Sequence, residues 1–425
     1  MSASLYRAIG GAPRGGALAA LRHRNFRAYL PGQALSMVGM SMLGVTIAWL
    51  VYARSASILL VGLAIALQYL PLPAGQPFAR LLLTTVSQRR VLLGTQTLFC
   101  CIAAALVVIT VLQPPTTRVW ALLLFSILWG AVRATDAPVR HAFLVDLVGR
   151  RDLTYGLSVV ASAWNVASFT GAALAGLLLF WVPPEICFVA ILVAMLAGVA
   201  GLLLVAELPA VVSGDTLWQQ GVWRKLMRDT RSPRVVALVV LGCAFSALGM
   251  NRLTLLPGLF ADRLNTGALG FGVGVAAVGA GATVGGALLL WRVRRPLRLS
   301  LLWPGVLWAL AMILAGWSTF WPLTLGALAA TGAMQTWLLS IVGQRLVDVL
   351  PDRERGPVMG LYAWFAVATN WIGPLQAGLL ALLLGVPLAL SVDAALLIAV
   401  SLVVALALRG ARSSTAGRES TSAAR

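Results

Sequence analysis

The sequence predicts an all-α integral membrane protein whose twelve transmembrane helices form two pseudo-symmetric six-helix bundles. Hydrophobic residues make up 60% of the 425-residue chain and charged residues 11%, whereas a soluble domain carries about 25% charged residues. About twelve apolar runs, each near the roughly 20 residues that a helix needs to cross a bilayer, are separated by short polar breaks. Runs this continuous indicate helices, because the strands of a membrane barrel would alternate polar and apolar residues.

An internal repeat predicts that the two halves share one fold. The segment L-V-D-L-V-G-R-R-D from Leu144 recurs as L-V-D-V-L-P-D-R-E-R from Leu346. The segment G-A-A-L-A-G-L-L from Gly171 recurs as G-P-L-Q-A-G-L-L from Gly373. Both pairs lie about 200 residues apart, so one half of the chain resembles a copy of the other.

The basic residues predict the orientation in the membrane. The net charge is +19, but the arginines are spread over alternate breaks and do not form one patch with interleaved aromatic residues, which argues against a nucleic-acid partner. The opposite side of the predicted bundle receives only Arg54, Arg118 and Arg263. The positive-inside rule therefore places both termini in the cytoplasm, with the chain in the plasma (inner) membrane.

Composition also divides the chain into segments. These are a basic cytoplasmic tail (1–28), the first bundle (29–207), a polar cytoplasmic linker (208–233), the second bundle (234–408) and a disordered cytoplasmic tail (409–425). Within helix two, Pro71, Pro73 and Pro77 predict a kink.

Three charged residues of the predicted helix four have helical spacing. Arg133, Asp136 and Arg140 stand at positions i, i+3 and i+7, which places them on one face of the helix. A charged face in lipid costs several kcal/mol, so it should line a bundle interior or a water-filled cavity. The simpler interpretation is a cluster that pins the cytoplasmic ends of the helices. The alternative is direct contact with substrate or protons, with Asp136 as the proton-coupling candidate and Arg133 as a cavity candidate.

Further polar residues complete the candidate substrate site. Arg252 in helix seven is the first candidate for an anion-facing or polar substrate contact, and the alternative is an ion pair with Asp393. The other cavity candidates are Asn251, Asn165, Gln335 and Trp364. The gating candidates in or near the cytoplasmic loops are Arg89, Arg90, Arg140, Asp146, Arg151, Asp348 and Arg353.

Two segments and the overall plan resemble a known group of transporters. Twelve spans in two parallel repeats with a long cytoplasmic linker resemble the major facilitator superfamily. The segments L-R-H-R-N-F-R-A-Y-L-P-G-Q from Leu21 and D-A-P-V-R-H-A-F-L-V-D-L-V from Asp136 resemble its efflux branch, which includes the enterobactin exporter and macrolide efflux proteins. The resemblance covers residues 20–408 and implies a cavity formed chiefly by helices one, four, seven and ten.

The chain departs from the superfamily pattern at two places. The loop between helices two and three has Leu81 and Thr85 where the pattern has a glycine and an aspartate. The glycine-proline pair typical of antiporters in helix five is Gly171-Ala172 here. These departures weaken the inference of proton antiport.

The predicted function is secondary active transport. The chain is expected to export a small amphipathic molecule, such as a drug, a siderophore or a secondary metabolite, by alternating access of its two halves. The expected partners are this substrate, the lipid bilayer and protons as the coupling ion, and the expected state is a monomer. The alternative is a non-transporting receptor or assembly partner with the same fold, in which the replaced loop aspartate would mark a degenerate copy.

The sequence lacks the residues that an ATP-driven pump, a metal site or an enzyme would need. The one lysine, Lys225, does not follow the glycine-rich turn of a phosphate-binding loop, which argues against an ATP-driven pump. The two histidines, His23 and His141, are not arranged for a metal site or for nucleophilic catalysis. The sequence therefore predicts no enzyme activity, no cofactor and no metal.

Overall fold

The computed structural model describes residues 19–112, 115–206, 233–292 and 302–423. Within these residues, 11 helices are long and apolar enough to cross a membrane, and a twelfth apolar helix, Leu302–Trp317, has 16 residues. The prediction of an all-α membrane protein with about twelve spans is confirmed. Nearly all of the predicted linker (208–233) and most of the predicted N-terminal tail (1–28) lie outside the described residues.

The helices divide into two sets of six. The first half contains α1 to α6, at Arg24–Ser55, Ile58–Tyr69 with Leu72–Leu83, Gln88–Leu112, Val119–Gly149, Arg151–Trp181 and Pro184–Leu203. The second half contains α7 to α12, at Pro233–Gly258, Gly267–Arg292, Leu302–Trp317, Trp321–Val349, Asp352–Ala368 with Ile372–Leu384, and Val386–Ala423. A π-helical turn, Leu259–Arg263, extends α7.

Short loops join successive spanning helices, so the loops alternate between two ends of the molecule. We call the end with the α2–α3, α4–α5 and α10–α11 loops the arginine-rich end. The end where α1 meets α2 and α7 meets α8 is the arginine-poor end.

Proline and glycine determine where the helices break. The two parts of α2 are separated at Leu70 and Pro71, which confirms the predicted kink. Helices α4 and α5 form one run that bends at Gly149, whose φ is 71°. Glycine suits this corner because it has no Cβ to oppose a positive φ.

Helices extend into both predicted tails. Helix α1 begins at Arg24, inside the segment assigned to the N-terminal tail. Helix α12 continues to Ala423, through most of the segment assigned to the C-terminal tail. Extending an existing helix avoids the unfavourable nucleation step, which explains how polar residues continue a membrane helix.

The contacts within the two halves agree with the sequence repeat. In the first half, the Ser41 hydroxyl of α1 donates to the carbonyl oxygen of Ser168 in α5 at 2.8 Å. In the second half, the Ser246 hydroxyl of α7 is hydrogen-bonded to the side-chain amide of Asn370 beside α11, also at 2.8 Å. The repeat therefore preserves the packing of α1 on α5 as the packing of α7 on α11.

One apolar core contains side chains of both halves, whereas another contains side chains of the first half. Toward the arginine-poor end, one core contains Phe188 of the first half together with Phe260 and Phe271 of the second. Toward the arginine-rich end, a core with Phe26 and Phe143 contains, among the described residues, side chains of the first half alone. The halves are therefore packed together at the arginine-poor end.

We expect Gly176→Val to destabilise this packing. Gly176 of α5 lies against the backbone of Gly272 and Ala268 in α8, where a Cβ has no room, and overpacking of this kind costs about 1–3 kcal/mol. Thermal unfolding of the purified protein in detergent measures the effect. The control is Gly326→Val in α10, where an added Cβ meets open space. Equal melting temperatures for the two variants would contradict the close approach of α5 and α8.

Candidate functional site

The two halves close against each other at the arginine-poor end through polar and aromatic contacts. The Tyr52 hydroxyl at the end of α1 donates a hydrogen bond to Asp262 in the π-helical turn of α7. The rings of Trp49 and Phe271 stack with their centroids 6.0 Å apart. The two halves are therefore in direct contact at this end.

Helix α5 presents a polar face on the other side of this closure. Ser158, Ser162 and Asn165 are exposed, and their spacing of i, i+4 and i+7 places them on one helical face. Asn165 lies about 20 Å along the helix from its start at Arg151. The hydroxyls of Ser158 and Ser162 donate to the carbonyl oxygens of Thr154 and Ser158 at 2.8 and 2.9 Å. This face of α5 is therefore a polar surface that the neighbouring helices leave uncovered.

Two arginines from opposite halves converge on Tyr69 at the end of the first part of α2. The guanidinium carbon of Arg133 in α4 lies 5.2 Å from the centroid of the Tyr69 ring. Tyr69 is also close enough to Arg252 of α7 for the two ionisable side chains to interact. The Nη1 atom of Arg252 is buried and has no hydrogen-bond partner. The structure thus brings together two of the predicted cavity residues.

Asp136 and Arg140 form a buried ion pair within the first half. The Arg140 Nη2 atom donates to both Asp136 oxygens at 2.7 Å, and the Thr95 hydroxyl donates to Asp136 at 2.8 Å. Arg140 also donates to the Tyr29 hydroxyl at 2.8 Å and to the Gln33 side chain. This arrangement ties α1, α3 and α4 together, as expected for a pinning cluster.

Arg133 does not belong to that cluster. Its spacing places it on the same face as Asp136 and Arg140, but its guanidinium lies over the ring of Tyr69 in α2. Residues three positions apart on a helix differ by about 60° in direction, and a long side chain follows its nearest favourable partner.

The alternative ion pair between Arg252 and Asp393 does not form. Asp393 of α12 is fully buried and accepts hydrogen bonds from Asn251 Nδ2 at 2.8 Å and from Gln376 Nε2 at 3.0 Å. Asn251 Nδ2 also donates to Gln376 at 3.0 Å. The neighbours Asn251 and Arg252 therefore point in different directions, and Asn251 belongs to a triad inside the second half.

The other predicted cavity residues lie on different surfaces. Gln335 of α10 is buried against Gly249 of α7, and its side-chain amide occupies the space that a Cβ would need there. The indole nitrogen of Trp364 in α11 donates to the carbonyl oxygen of Pro73 in α2 at 3.2 Å, so Trp364 connects the halves. An apolar groove of about 470 Å³ follows the nearby faces of α7 and α11, and Cys243, Ala247 and Phe365 are among its lining residues.

Most predicted gating residues lie at the arginine-rich end. Arg89 donates to the carbonyl oxygens of Leu202 and Leu203 at 3.2 and 3.1 Å, which fixes α3 to the end of α6. Arg90, Arg151 and Asp348 are exposed, and Asp146 is half-buried. The side chain of Arg353 lies outside the described residues. Sequence reasoning missed a contact at this end, between His23 Nε2 and Asp152 at 3.0 Å.

The sequence did not single out Tyr69, Tyr52, Asp262 or Gln376. Tyr69 follows an apolar run and Gln376 interrupts one, each as a single polar residue. The contacts that make them part of a site come from helices distant in sequence. No group of three or more His, Cys, Asp or Glu side chains that suits a metal ion occurs in the part of the chain that the structure describes.

A comparison with family models decides the family. Residues 15–422 match a model of the major facilitator superfamily described as transmembrane secretion effector. The chain belongs to this family. The family and the fold are those of membrane transporters and not of enzymes.

Solved structures of major facilitator transporters share the fold of this family member. A bacterial homologue of the human lysosomal transporter Spinster, solved in an inward-facing and unoccupied conformation, has a TM-score of 0.73 at 13% identity, with 94% of this chain and 98% of the other covered. The D-xylose-proton symporter has a TM-score of 0.69 at 14% identity, covering 88% and 97%. The nucleoside transporter NupG has a TM-score of 0.67 at 13% identity, covering 90% and 99%. No curated protein sequence matches the chain.

We expect Arg140→Ala to destabilise the protein by about 3–5 kcal/mol, because it leaves the Asp136 carboxylate buried without a counter-charge. Replacing both partners, as Asp136→Asn with Arg140→Gln, removes both charges and is expected to recover part of this loss. Thermal unfolding in detergent compares the two variants. A double variant no more stable than Arg140→Ala would contradict the ion pair as the cause.

Proposed function

We propose that this protein is a secondary transporter that exports a small amphipathic molecule, such as a drug, a siderophore or a secondary metabolite, by alternating access. The observation that carries the proposal is the one-sided packing of the two halves. A core common to both halves lies toward the arginine-poor end, whereas the polar face of α5 is exposed toward the arginine-rich end. A core shared by the two halves toward one end matches one state of a rocking transporter.

The direction of transport follows from the proposed orientation. The positive-inside rule places the arginine-rich end in the cytoplasm, together with both termini, in the plasma membrane. The state described here would then receive its substrate from the cytoplasm. Export also agrees with the resemblance of the segments from Leu21 and Asp136 to the efflux branch with the enterobactin exporter and macrolide efflux proteins.

A covalent link at the arginine-poor end is expected to stop export. Tyr52→Cys combined with Asp262→Cys puts one thiol on each half beside this contact, in a background whose native cysteines, Cys100, Cys101, Cys187 and Cys243, are replaced by Ser or Ala. A bifunctional methanethiosulfonate, which links thiols too far apart for a direct disulfide, should fix this end closed, and a reductant should restore activity. Accumulation of fluorescent amphipathic compounds in cells with and without the protein provides the readout.

The two single-cysteine variants are the controls, because the reagent cannot link the halves in them, and they should keep exporting. Full export by the cross-linked double variant would contradict the rocking motion. Absence of export by the uncrosslinked protein across cationic, neutral and anionic compounds would favour the alternative, a non-transporting receptor or assembly partner.

Protons are the proposed coupling ion, and two buried carboxyls are candidates. Asp136 was the candidate from sequence, but its proton would have to displace the guanidinium of Arg140. Asp393 is held by two amide groups. A proton on Asp393 therefore leaves no ion pair broken, which favours Asp393 as the proton-coupling residue.

We expect Asp393→Asn to abolish substrate-dependent proton movement in proteoliposomes, measured with a pH-sensitive dye. Asp136→Asn is the comparison, and we expect it chiefly to lower the yield of folded protein, because it leaves Arg140 without its counter-charge. Retained proton movement in Asp393→Asn, with its loss in folded Asp136→Asn, would assign the coupling role to Asp136 instead.

A further inference from the structure

We propose that Arg252 and Arg133 bind the anionic group of the transported molecule near Tyr69, and that the substrate is therefore an amphipathic organic anion. This inference rests on the proposed transport function and adds the chemical class of the substrate. The geometry behind it is the guanidinium of Arg133 over the Tyr69 ring, the packing of α7 on α2 where Thr254 meets Gly62, and the position of Arg252 within interaction distance of Tyr69.

The first argument is the missing counter-charge of Arg252. A buried guanidinium in a membrane protein is costly unless it is paired and hydrogen-bonded. The Arg252 side chain is half-buried, and its Nη1 atom is buried without a partner. A buried donor of this kind lacks an acceptor that a bound anion would supply.

The carboxylates at membrane depth are already engaged. Asp136 is paired with Arg140, Asp262 accepts from Tyr52, and Asp393 accepts from Asn251 and Gln376. Among the residues that the structure describes, none of these carboxylates is hydrogen-bonded to Arg252, so a bound anion can supply its counter-charge.

A second unpartnered donor lies beside Tyr69 in the sequence. Gln68 is buried, and its Nε2 atom also has no hydrogen-bond partner. Guanidinium groups bind carboxylates and phosphates through two parallel N–H donors, so either group suits the site.

The location of the two arginines connects binding to transport. Arg133 belongs to α4 of the first half and Arg252 to α7 of the second. An anion between them contacts both halves, so its affinity depends on how the halves are oriented. A ligand with different affinities for two states shifts the equilibrium between them. The ring of Tyr69 offers a surface for an apolar body beside the Arg133 guanidinium.

The closing experiment compares naphthalene-2-carboxylate with neutral 2-naphthalenemethanol on the purified full-length protein in detergent. The carboxylate should raise the melting temperature of the wild type as its concentration exceeds its dissociation constant, and the alcohol should raise it far less. Arg252→Gln and Arg133→Gln should each weaken carboxylate binding at least tenfold. Arg252→Lys should keep part of it, because an ammonium retains the charge but not the paired donors.

A second readout separates a binding role from a structural one. Without ligand, Arg252→Met should melt at the same temperature as the wild type or higher, because it removes a buried charge without a partner. A large loss of stability would show that Arg252 is paired within the protein and would overturn the proposal. Arg80→Gln removes an exposed arginine of α2 and should leave carboxylate binding unchanged.

Two further arms identify the source of the anion and separate this inference from the proposed function. If added phosphatidylglycerol stabilises the protein through Arg252 and the carboxylate does not, the anion is a lipid headgroup and the substrate class is wrong. Transport that is equal for the carboxylate and the alcohol, and unaffected by Arg252→Gln, would overturn the anion site but leave the transporter intact. Arginine-dependent binding of the carboxylate without any transport would support the site and contradict the transport function.

Discussion

A charge inside a bilayer needs a partner, and this constraint explains where the few charged side chains of this protein lie. Moving an ion from water into a medium of low polarity is unfavourable unless another charge or several hydrogen bonds replace the lost water. Asp136 and Arg140 satisfy the rule as an ion pair, and Asp393 satisfies it with two amide groups. Arg252 does not satisfy it within the protein, and for this reason it is the most informative residue of the chain.

Much of the fold could be predicted from sequence because it depends on local properties. Apolar runs long enough to span a bilayer predict helices, and the prolines around Pro71 predict the break in α2, since each effect acts within a few residues. The repeat predicts more. The matching glycines Gly171 and Gly373 each pack against the backbone of the first helix of their half, at Val38 and at Ala247. Matching residues of the two repeats therefore make matching contacts between helices.

The site was less predictable because it depends on contacts between distant segments. Helical spacing correctly grouped Asp136 with Arg140, which is four residues away, yet it assigned Arg133 to the same cluster. The difference comes from Tyr69 of α2, whose ring attracts the Arg133 guanidinium. Similarly, Asn251 and Arg252 are adjacent in sequence, but the helix directs one into the second half and the other toward α2. A single sequence records the residue types but not which helix faces which.

Export of an anion, as proposed, offers a physical reason for the absence of the antiporter features. Leu81 and Thr85 replace the loop glycine and aspartate of the superfamily pattern, and Ala172 replaces the proline of the antiporter pair. An exporter of a neutral or cationic molecule would depend fully on a coupling ion. An anion leaving a cell whose interior is negative gains about 2.3 kcal/mol per charge for each 100 mV, which corresponds to a concentration ratio of about 50. The membrane potential alone therefore supplies part of the driving force, so a chain with an arginine-lined site can export its substrate with weaker demands on proton coupling.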